Sequence, residues 1–220
     1  MNYYPAFLNL KDQKVVLFGG GQVALRKAKT LVEAGADLVV VSRDFSGEFL
    51  KFAKRHRLRL RYGSEIQNVL RGSFLVIAAT SDEAFNGTVS QKCKQKGIFV
   101  NVVDDPAHSS FIVPSVLKRG RLQIAISTGG ASPLLAKTLR QKLEAQFGTE
   151  YGELLRRLER DRKETKKTIY LEKSRRNHFK KIVVLGLKGL KSKNVKPSLR
   201  AKRSNLRSEI ASSPLRGSSQ

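Results

Sequence analysis

Lys14-Val-Val-Leu-Phe18, followed without a break by Gly19-Gly20-Gly21-Gln22-Val23-Ala24, decides the fold. Four large apolar side chains in a row predict a strand buried on both faces, and three glycines end it in a tight turn. From Val23 to Glu33 the residues Leu25, Ala28, Leu31 and Val32 fall at helical spacing, and Gly35 stands where a helix closes. Leu38-Val-Val-Val41 then reads as a second buried strand, so the first unit is strand, helix, strand. The same alternation continues outward. A helix is expected near Gly47 to His56, strands at Leu58 to Tyr62 and Phe74 to Ala79, a helix at Glu83 to Gln95, and a strand at Ile98 to Val102. Five strands with helical crossovers predict an α/β chain with a doubly wound parallel sheet.

After Pro106 the pattern changes. Short extended pieces are expected at Phe111 to Val113, Val116 to Lys118 and Leu122 to Ser127, followed by a helix with Ser132 as N-cap and Pro133 in its first position. In that helix Leu135, Leu139, Leu143 and Phe147 recur four apart, a stripe that fits either a core face or a subunit interface. Tyr151 to Lys167 reads as a further, heavily charged helix. Beyond Lys191 the chain is Ser, Lys, Arg, Pro and Gly with few large apolar residues, a composition that predicts disorder. Lys181-Ile-Val-Val-Leu-Gly186 looks like a strand ending at glycine, too short to support another domain.

With 220 residues and 40% hydrophobic content the chain can bury a core. Its net charge is +25; residues 1–150 hold 22 basic against 12 acidic side chains, and the last 70 hold 21 against 6. Such a balance points to a polyanionic partner. One cysteine, Cys93, excludes an internal disulfide, and with His56, His108 and His178 widely spaced it offers no metal cage. No segment approaches the roughly 20 apolar residues of a membrane span, and Met1 to Leu10 has no signal-peptide pattern, so a cytoplasmic protein is expected.

Gly19-Gly20-Gly21-Gln22-Val23-Ala24 matches G-x-G-x-x-A between a strand and a helix, which is the context a dinucleotide fingerprint requires. Gly19 permits the turn, Gly21 lets the backbone approach a pyrophosphate, Ala24 keeps the helix near the sheet, and free N–H groups with the helix dipole favour the phosphates. The ribose-reading position should follow the second strand, where Ser42-Arg43-Asp44 stands. Asp44 could take a ribose 2′-hydroxyl, as in NAD, and Arg43 could pair with the 2′-phosphate of NADP. Thr80-Ser81-Asp82 lies at the ligand-binding edge and equally suits a helix N-cap. Asn101-Val-Val-Asp104-Asp105-Pro106 ends the fifth strand at the same edge, making Asp104 the leading acid/base candidate, with a turn residue before proline as its plainer reading. His108 could serve as a second proton carrier. The run Lys51, Lys54, Arg55, Arg57, Arg59, Arg61 reads as a solvated face. Lys118, Arg119 and Arg121 precede Ser127-Thr128-Gly129-Gly130-Ala131-Ser132-Pro133, a hydroxyl-rich turn at a helix start that could bind an anion.

Gly19 to Ala24 with Arg26-Lys27-Ala28, Ala79-Thr80 with Asn86, Asn101-Val-Val-Asp104, Ser110-Phe-Ile-Val-Pro-Ser115 and Ser127 to Pro133 together resemble the precorrin-2 dehydrogenase family, which includes the N-terminal module of siroheme synthase. The resemblance runs from about Tyr4 to about Lys167. It implies a Rossmann-type domain over residues 1–112 and a small α+β dimerisation region over 113–148; the residue pattern adds a helical segment over 149–175, and composition adds a basic, disordered tail over 176–220. The resemblance also implies NAD-dependent dehydrogenation of precorrin-2 to sirohydrochlorin and, in some members, ferrous iron insertion at the same site, with iron as substrate. Asp104 takes the position of the family's essential aspartate, as proton acceptor. Gly19, Gly21, Gln22, Val23, Ser42, Arg43, Asp44, Thr80 and Asn101 fall at cofactor positions, and Ser127, Thr128, Gly129 and Gly130 at substrate positions.

By the same resemblance the substrate is a tetrapyrrole with eight carboxylates, a partner for the basic surface, and the chain is a homodimer through the Leu135, Leu139, Leu143, Phe147 stripe. From Arg175 to Gln220 the chain follows no family pattern, and its Ser/Arg-rich end has the composition of translated repeat DNA or of a frameshift product. A reading of another class is an NAD-sensing protein whose basic tail engages nucleic acid. No helix-turn-helix or interleaved aromatic motif supports that partner, and none is expected at a membrane.

Overall fold

A computed structural model of the chain describes residues 3–190. It divides into two compact units, the first running to Pro114 and including Ser127–Pro133, the second comprising Ser115–Ile126 and the chain from Leu134 onward.

In the first unit β1 (Lys14–Phe18), α1 (Gln22–Glu33), β2 (Asp37–Ser42), α2 (Gly47–His56), β3 (Arg59–Tyr62), α3 (Gln67–Leu70), β4 (Leu75–Ala78), α4 (Glu83–Gln95) and β5 (Phe99–Val102) follow in order. The sheet is β3-β2-β1-β4-β5, parallel throughout. Strand order reverses beside β1, so the loops after β1 and β4 diverge and leave a crevice at their carboxyl ends, where ligands of such sheets bind. All four β4 residues and four of five in β1 are buried, which is why these strands read as unbroken apolar runs.

Two apolar layers sandwich the sheet. On one face Val15, Leu17, Val40 and Ile77 pack with Ala24, Leu25, Ala28 and Leu31 of α1 and Phe49 and Ala53 of α2. On the other, Val16, Phe18, Val41 and Val100 pack with Val69 and Leu70 of α3 and Val89 and Cys93 of α4. Each fully buried Leu, Val or Phe here contributes roughly 1.5–3 kcal/mol relative to exposure. Local signals set the helix limits. Ser46 Oγ accepts from Phe49 N–H at 3.2 Å at the start of α2, and Asp82 Oδ1 accepts from Phe85 N–H at 2.9 Å at the start of α4. The single turn α3 was not legible in the sequence, and the basic residues of 51–61 are exposed as expected.

Cys93 lies fully buried, and burial pushes its thiol from the ordinary value up to about 12. A thiolate-directed reagent at pH 8 is expected to leave the folded protein unlabelled and to label one equivalent after denaturation. Rapid labelling of the native chain would contradict this packing.

Beyond β5 the edge of the sheet is closed by hydroxyls rather than by a strand. Ser109 Oγ accepts from Val102 N–H at 2.9 Å and donates to Asp105 O at 2.8 Å, while Ser110 Oγ accepts from Val100 N–H at 2.8 Å. The extended piece expected at Phe111 to Val113 is therefore loop, because side-chain hydroxyls already satisfy the β5 edge.

In the second unit β6 (Ser115–Arg119) and β7 (Leu122–Ile126) form an antiparallel hairpin, followed by α5 (Pro133–Gln146) and α6 (Glu150–Thr168). Buried Gly152 of α6 lies against the hairpin turn: a Cβ there would meet the Arg119 carbonyl oxygen at 3.0 Å. A further helical stretch covers 172–190. The expected division therefore shifts in two places. Residues 127–133 group with the first unit instead of continuing one region over 113–148. Residues 176–190, assigned to a disordered tail, are helical, and Lys181 to Gly186 is helix and not strand. Gly186 lies against Leu154 of α6, and Leu190 is buried; packing of this kind overrides the strand preference of Ile182-Val183-Val184. The disorder expected beyond Lys191 lies outside the described residues.

Candidate functional site

The crevice at the carboxyl ends of β1, β2 and β4 is a cavity of about 940 Å³, within the size range of small-molecule and cofactor sites. Phe18 and Phe85, edge to face with centroids 5.5 Å apart, supply aromatic surface to its lining. The glycine turn forms its rim, and each glycine there has a different task. Gly19 sits at φ 120°, and a Cβ would collide with the Ala79 carbonyl. At Gly20 a Cβ would collide with the Asp44 carbonyl, because Ser46 N–H bonds Gly20 O at 3.0 Å and draws the loop after β2 against the turn. Gly21 has open space where its Cβ would be. It is the N-cap of α1, with no side-chain cap bond. The first helical bond runs from Leu25 N–H to Gly21 O at 2.9 Å, so the N–H groups of Gln22, Val23 and Ala24 precede it and remain at the positive end of the helix. Open space beside Gly21 with these donors fits a dinucleotide pyrophosphate.

Gly19, Gly21, Gln22, Val23, Ser42, Arg43, Asp44 and Thr80 all line this one cavity, and Asp104 joins them. Gln22 Nε2 donates to Glu48 Oε2 at 2.7 Å. Arg43 reaches across to Asp82 at 3.8 Å, so the cation that could meet a 2′-phosphate already faces an acid, and Asp44 stands beside it at the loop. That arrangement suits a 2′-hydroxyl. Thr80 Oγ1 donates to Asn86 Oδ1 at 2.7 Å, and Asn86 Nδ2 donates to Thr80 O at 2.9 Å, a closed pair that fixes the loop after β4. Asp82 caps α4, so this segment serves helix and cavity together.

Asn101 is placed differently: it is buried in β5, its amide donates to Phe111 O at 3.1 Å, and it is not among the residues lining the cavity. Its visible task is to hold the segment that returns past β5. Ser127 Oγ accepts from Gly129 N–H and Thr128 Oγ1 from Ser132 N–H, each at 3.0 Å. With Gly129 and Gly130 at φ 63° and 93°, these four residues shape their own turn ahead of α5, and they too lie outside the cavity lining.

Asp104 adopts a left-handed backbone, φ 61°, immediately after Val103, whose side chain packs with the α1 layer. Lys27, one helical turn beyond Val23, is half-buried on α1 and feels the Asp104 charge. Burial lowers its pKa below 10.5, Arg26 lowers it further, and Asp104 opposes both. In the sequence Lys27 is marked only by its spacing from the glycine turn. His108 does not meet Asp104. Its backbone N–H and its Nδ1 bond the two oxygens of Asp105, at 3.1 and 2.6 Å, and these hydrogen bonds hold Asp105 below the usual carboxylate range. The two neighbouring acids are thereby separated, Asp105 tied to its turn and Asp104 left at the cavity.

Residues 6–115 match a family described as putative NAD(P)-binding, and residues 119–146 match one described as sirohaem biosynthesis protein central. Siroheme synthase 2 of Cronobacter sakazakii is 41% identical over 184 residues, covering 84% of this chain and 40% of that protein. The siroheme synthase of Citrobacter koseri is 40% identical with the same coverage. The chain thus spans about 40% of the length of these curated relatives. A solved structure described as SirC, precorrin-2 dehydrogenase, superposes with a TM-score of 0.71 at 29% identity, covering 82% of this chain and 89% of that one. The chain belongs to the putative NAD(P)-binding family over half its length and, with the sirohaem segment that follows, to the precorrin-2 dehydrogenase and siroheme synthase family that its sequence resembles.

Proposed function

We propose that this chain oxidises precorrin-2 to sirohydrochlorin with NAD, in siroheme biosynthesis. One observation carries the reading: Asp104 lies on the same cavity as the open Gly21 turn, in a chain that superposes on a precorrin-2 dehydrogenase. The oxidation removes two hydrogens from the macrocycle, one as hydride and one as proton. Bound NAD supplies the hydride acceptor. Asp104 takes the proton, and its left-handed backbone and the Ser109 and Ser110 bonds that anchor its loop to β5 hold the carboxyl at the rim. Gln22, Val23 and Ala24 N–H groups hold the pyrophosphate, and Asp44 accepts from the ribose. Purified protein mixed anaerobically with precorrin-2 and NAD is expected to yield NADH matched by the sirohydrochlorin spectrum. No NADH from a folded, NAD-binding protein would sink the reading.

Ferrous iron insertion at the same cavity is the companion proposal, with Asp104 taking the two pyrrole protons one at a time and passing each to solvent as iron enters. Adding ferrous iron to the finished reaction tests this: siroheme no faster than the uncatalysed rate removes it.

The functional unit in this proposal is a homodimer in the cytoplasm. On α5 Leu134, Leu135 and Leu139 are exposed, with only Ala136 buried, and Val116 of the hairpin is exposed as well. A two-stranded hairpin is marginal alone and gains from a second surface. Among the described residues no helix is long and apolar enough to cross a membrane. Leu139→Glu is expected to shift sedimentation from dimer to monomer, and a wild-type chain that sediments as a monomer at micromolar concentration would overturn the assembly.

A further inference from the structure

The second unit carries its own groove, of about 990 Å³, between α6 and the helical stretch 172–190. Five cations line it: Arg162 and Lys166, one turn apart on α6, and Arg175, Arg176 and Lys180 on the facing helix. Glu172 is the one acid in the lining. Among the described residues none of the five cations takes part in an ion pair. Five like charges gathered around a single carboxylate repel one another, and an anionic ligand relieves that repulsion.

The groove is not a bare basic stripe. Phe179 and Val183, four apart, run along it with Val184, and Val183 and Val184 stay 39% and 50% exposed. Apolar surface bordered by guanidinium and ammonium groups asks for a ligand with an apolar face and several anionic groups around its edge. Three arginines favour carboxylates, which take their planar forks two bonds at a time. A phosphate chain would leave the apolar residues uncovered. The chain's own residues 191–220 carry eight Lys and Arg against the single acid Glu209, so they repel the groove, and a second copy of the groove does the same.

We propose that the groove between α6 and residues 172–190 is a binding site for a flat, apolar-faced polycarboxylate. The site is separate from the dinucleotide cavity and goes beyond the dehydrogenase reading; only the identification of its natural occupant with the tetrapyrrole substrate or product rests on that reading.

The test uses the full chain and uroporphyrin, an octacarboxylate porphyrin that the proposed oxidation does not consume, with binding followed by porphyrin fluorescence. Arg175→Glu with Arg176→Glu is expected to weaken binding at least tenfold, and Phe179→Ala several-fold, with NAD affinity and far-ultraviolet circular dichroism unchanged. Lys166→Gln with Lys180→Gln gives a milder loss of the same sign and guards against misfolding in the double reversal. Affinity that is unchanged in all three variants overturns the proposal. So does a single-stranded oligonucleotide that displaces the porphyrin at lower concentration than free porphyrin does, which would make the groove a nucleic-acid site. Porphyrin binding that depends on these residues in a protein producing no NADH from precorrin-2 would keep the groove and remove the dehydrogenase.

Discussion

Asp104→Asn is expected to lower precorrin-2 oxidation by about 10²–10⁴-fold, the range that a positioned proton acceptor supplies, while NAD binds as before. Asparagine is the informative replacement. Asp104 sits at φ 61°, a conformation that asparagine tolerates and alanine adopts with strain, so the variant removes the basic oxygen and keeps the backbone. Asp105 is the internal control: its oxygens are bound by the His108 N–H and imidazole, and Asp105→Asn should cost far less turnover. If iron insertion occurs at the same cavity, it should fall together with the oxidation in Asp104→Asn. Full turnover in a folded Asp104→Asn protein would show that the proton leaves by another route.

The glycine turn yields the second large effect, and it splits by position. Gly21→Val is expected to leave the fold intact, with a stability change near 1 kcal/mol from the altered N-cap, and to weaken NAD binding at least tenfold. Its side chain would enter the space left open beside the first α1 N–H groups. Gly20→Val should act differently, because its Cβ strikes the Asp44 carbonyl, a backbone atom held by the Ser46 to Gly20 bond. Gly19→Val adds strain at φ 120° to a collision with the Ala79 carbonyl. Both should lose cooperative thermal unfolding or fall by several kcal/mol. Calorimetry beside an NAD titration separates the two outcomes. A Gly21→Val protein that binds NAD normally would place the pyrophosphate elsewhere.

Much of the first unit was legible because its elements declare themselves locally. Val15 to Phe18, Leu38 to Val41 and Leu75 to Ala78 are continuous apolar runs because their strands are covered on both faces. The helix expected at Glu83 to Gln95 has those limits in the structure because Asp82 caps it. The second unit was less legible. Ile182-Val183-Val184 has strand preference, and nothing in the segment itself announces that α6 lies alongside. Lys27 is illegible for a similar reason, since its neighbour Asp104 is 77 residues away in sequence.

The sequence by itself determined the order and kind of the elements in the first unit apart from the single turn α3, the glycine turn ahead of α1, and the aspartate just after β5. These follow from spacing within a few residues: apolar period, glycine placement and capping side chains. Tertiary structure alone decided that Gly20 must be glycine, that Arg43 faces Asp82, that Asn101 serves the wall and not the cavity, and that His108 belongs to Asp105. Each of these depends on a partner brought in by the chain's return, and side-chain type cannot reveal which of several possible partners the packed backbone places within hydrogen-bonding reach.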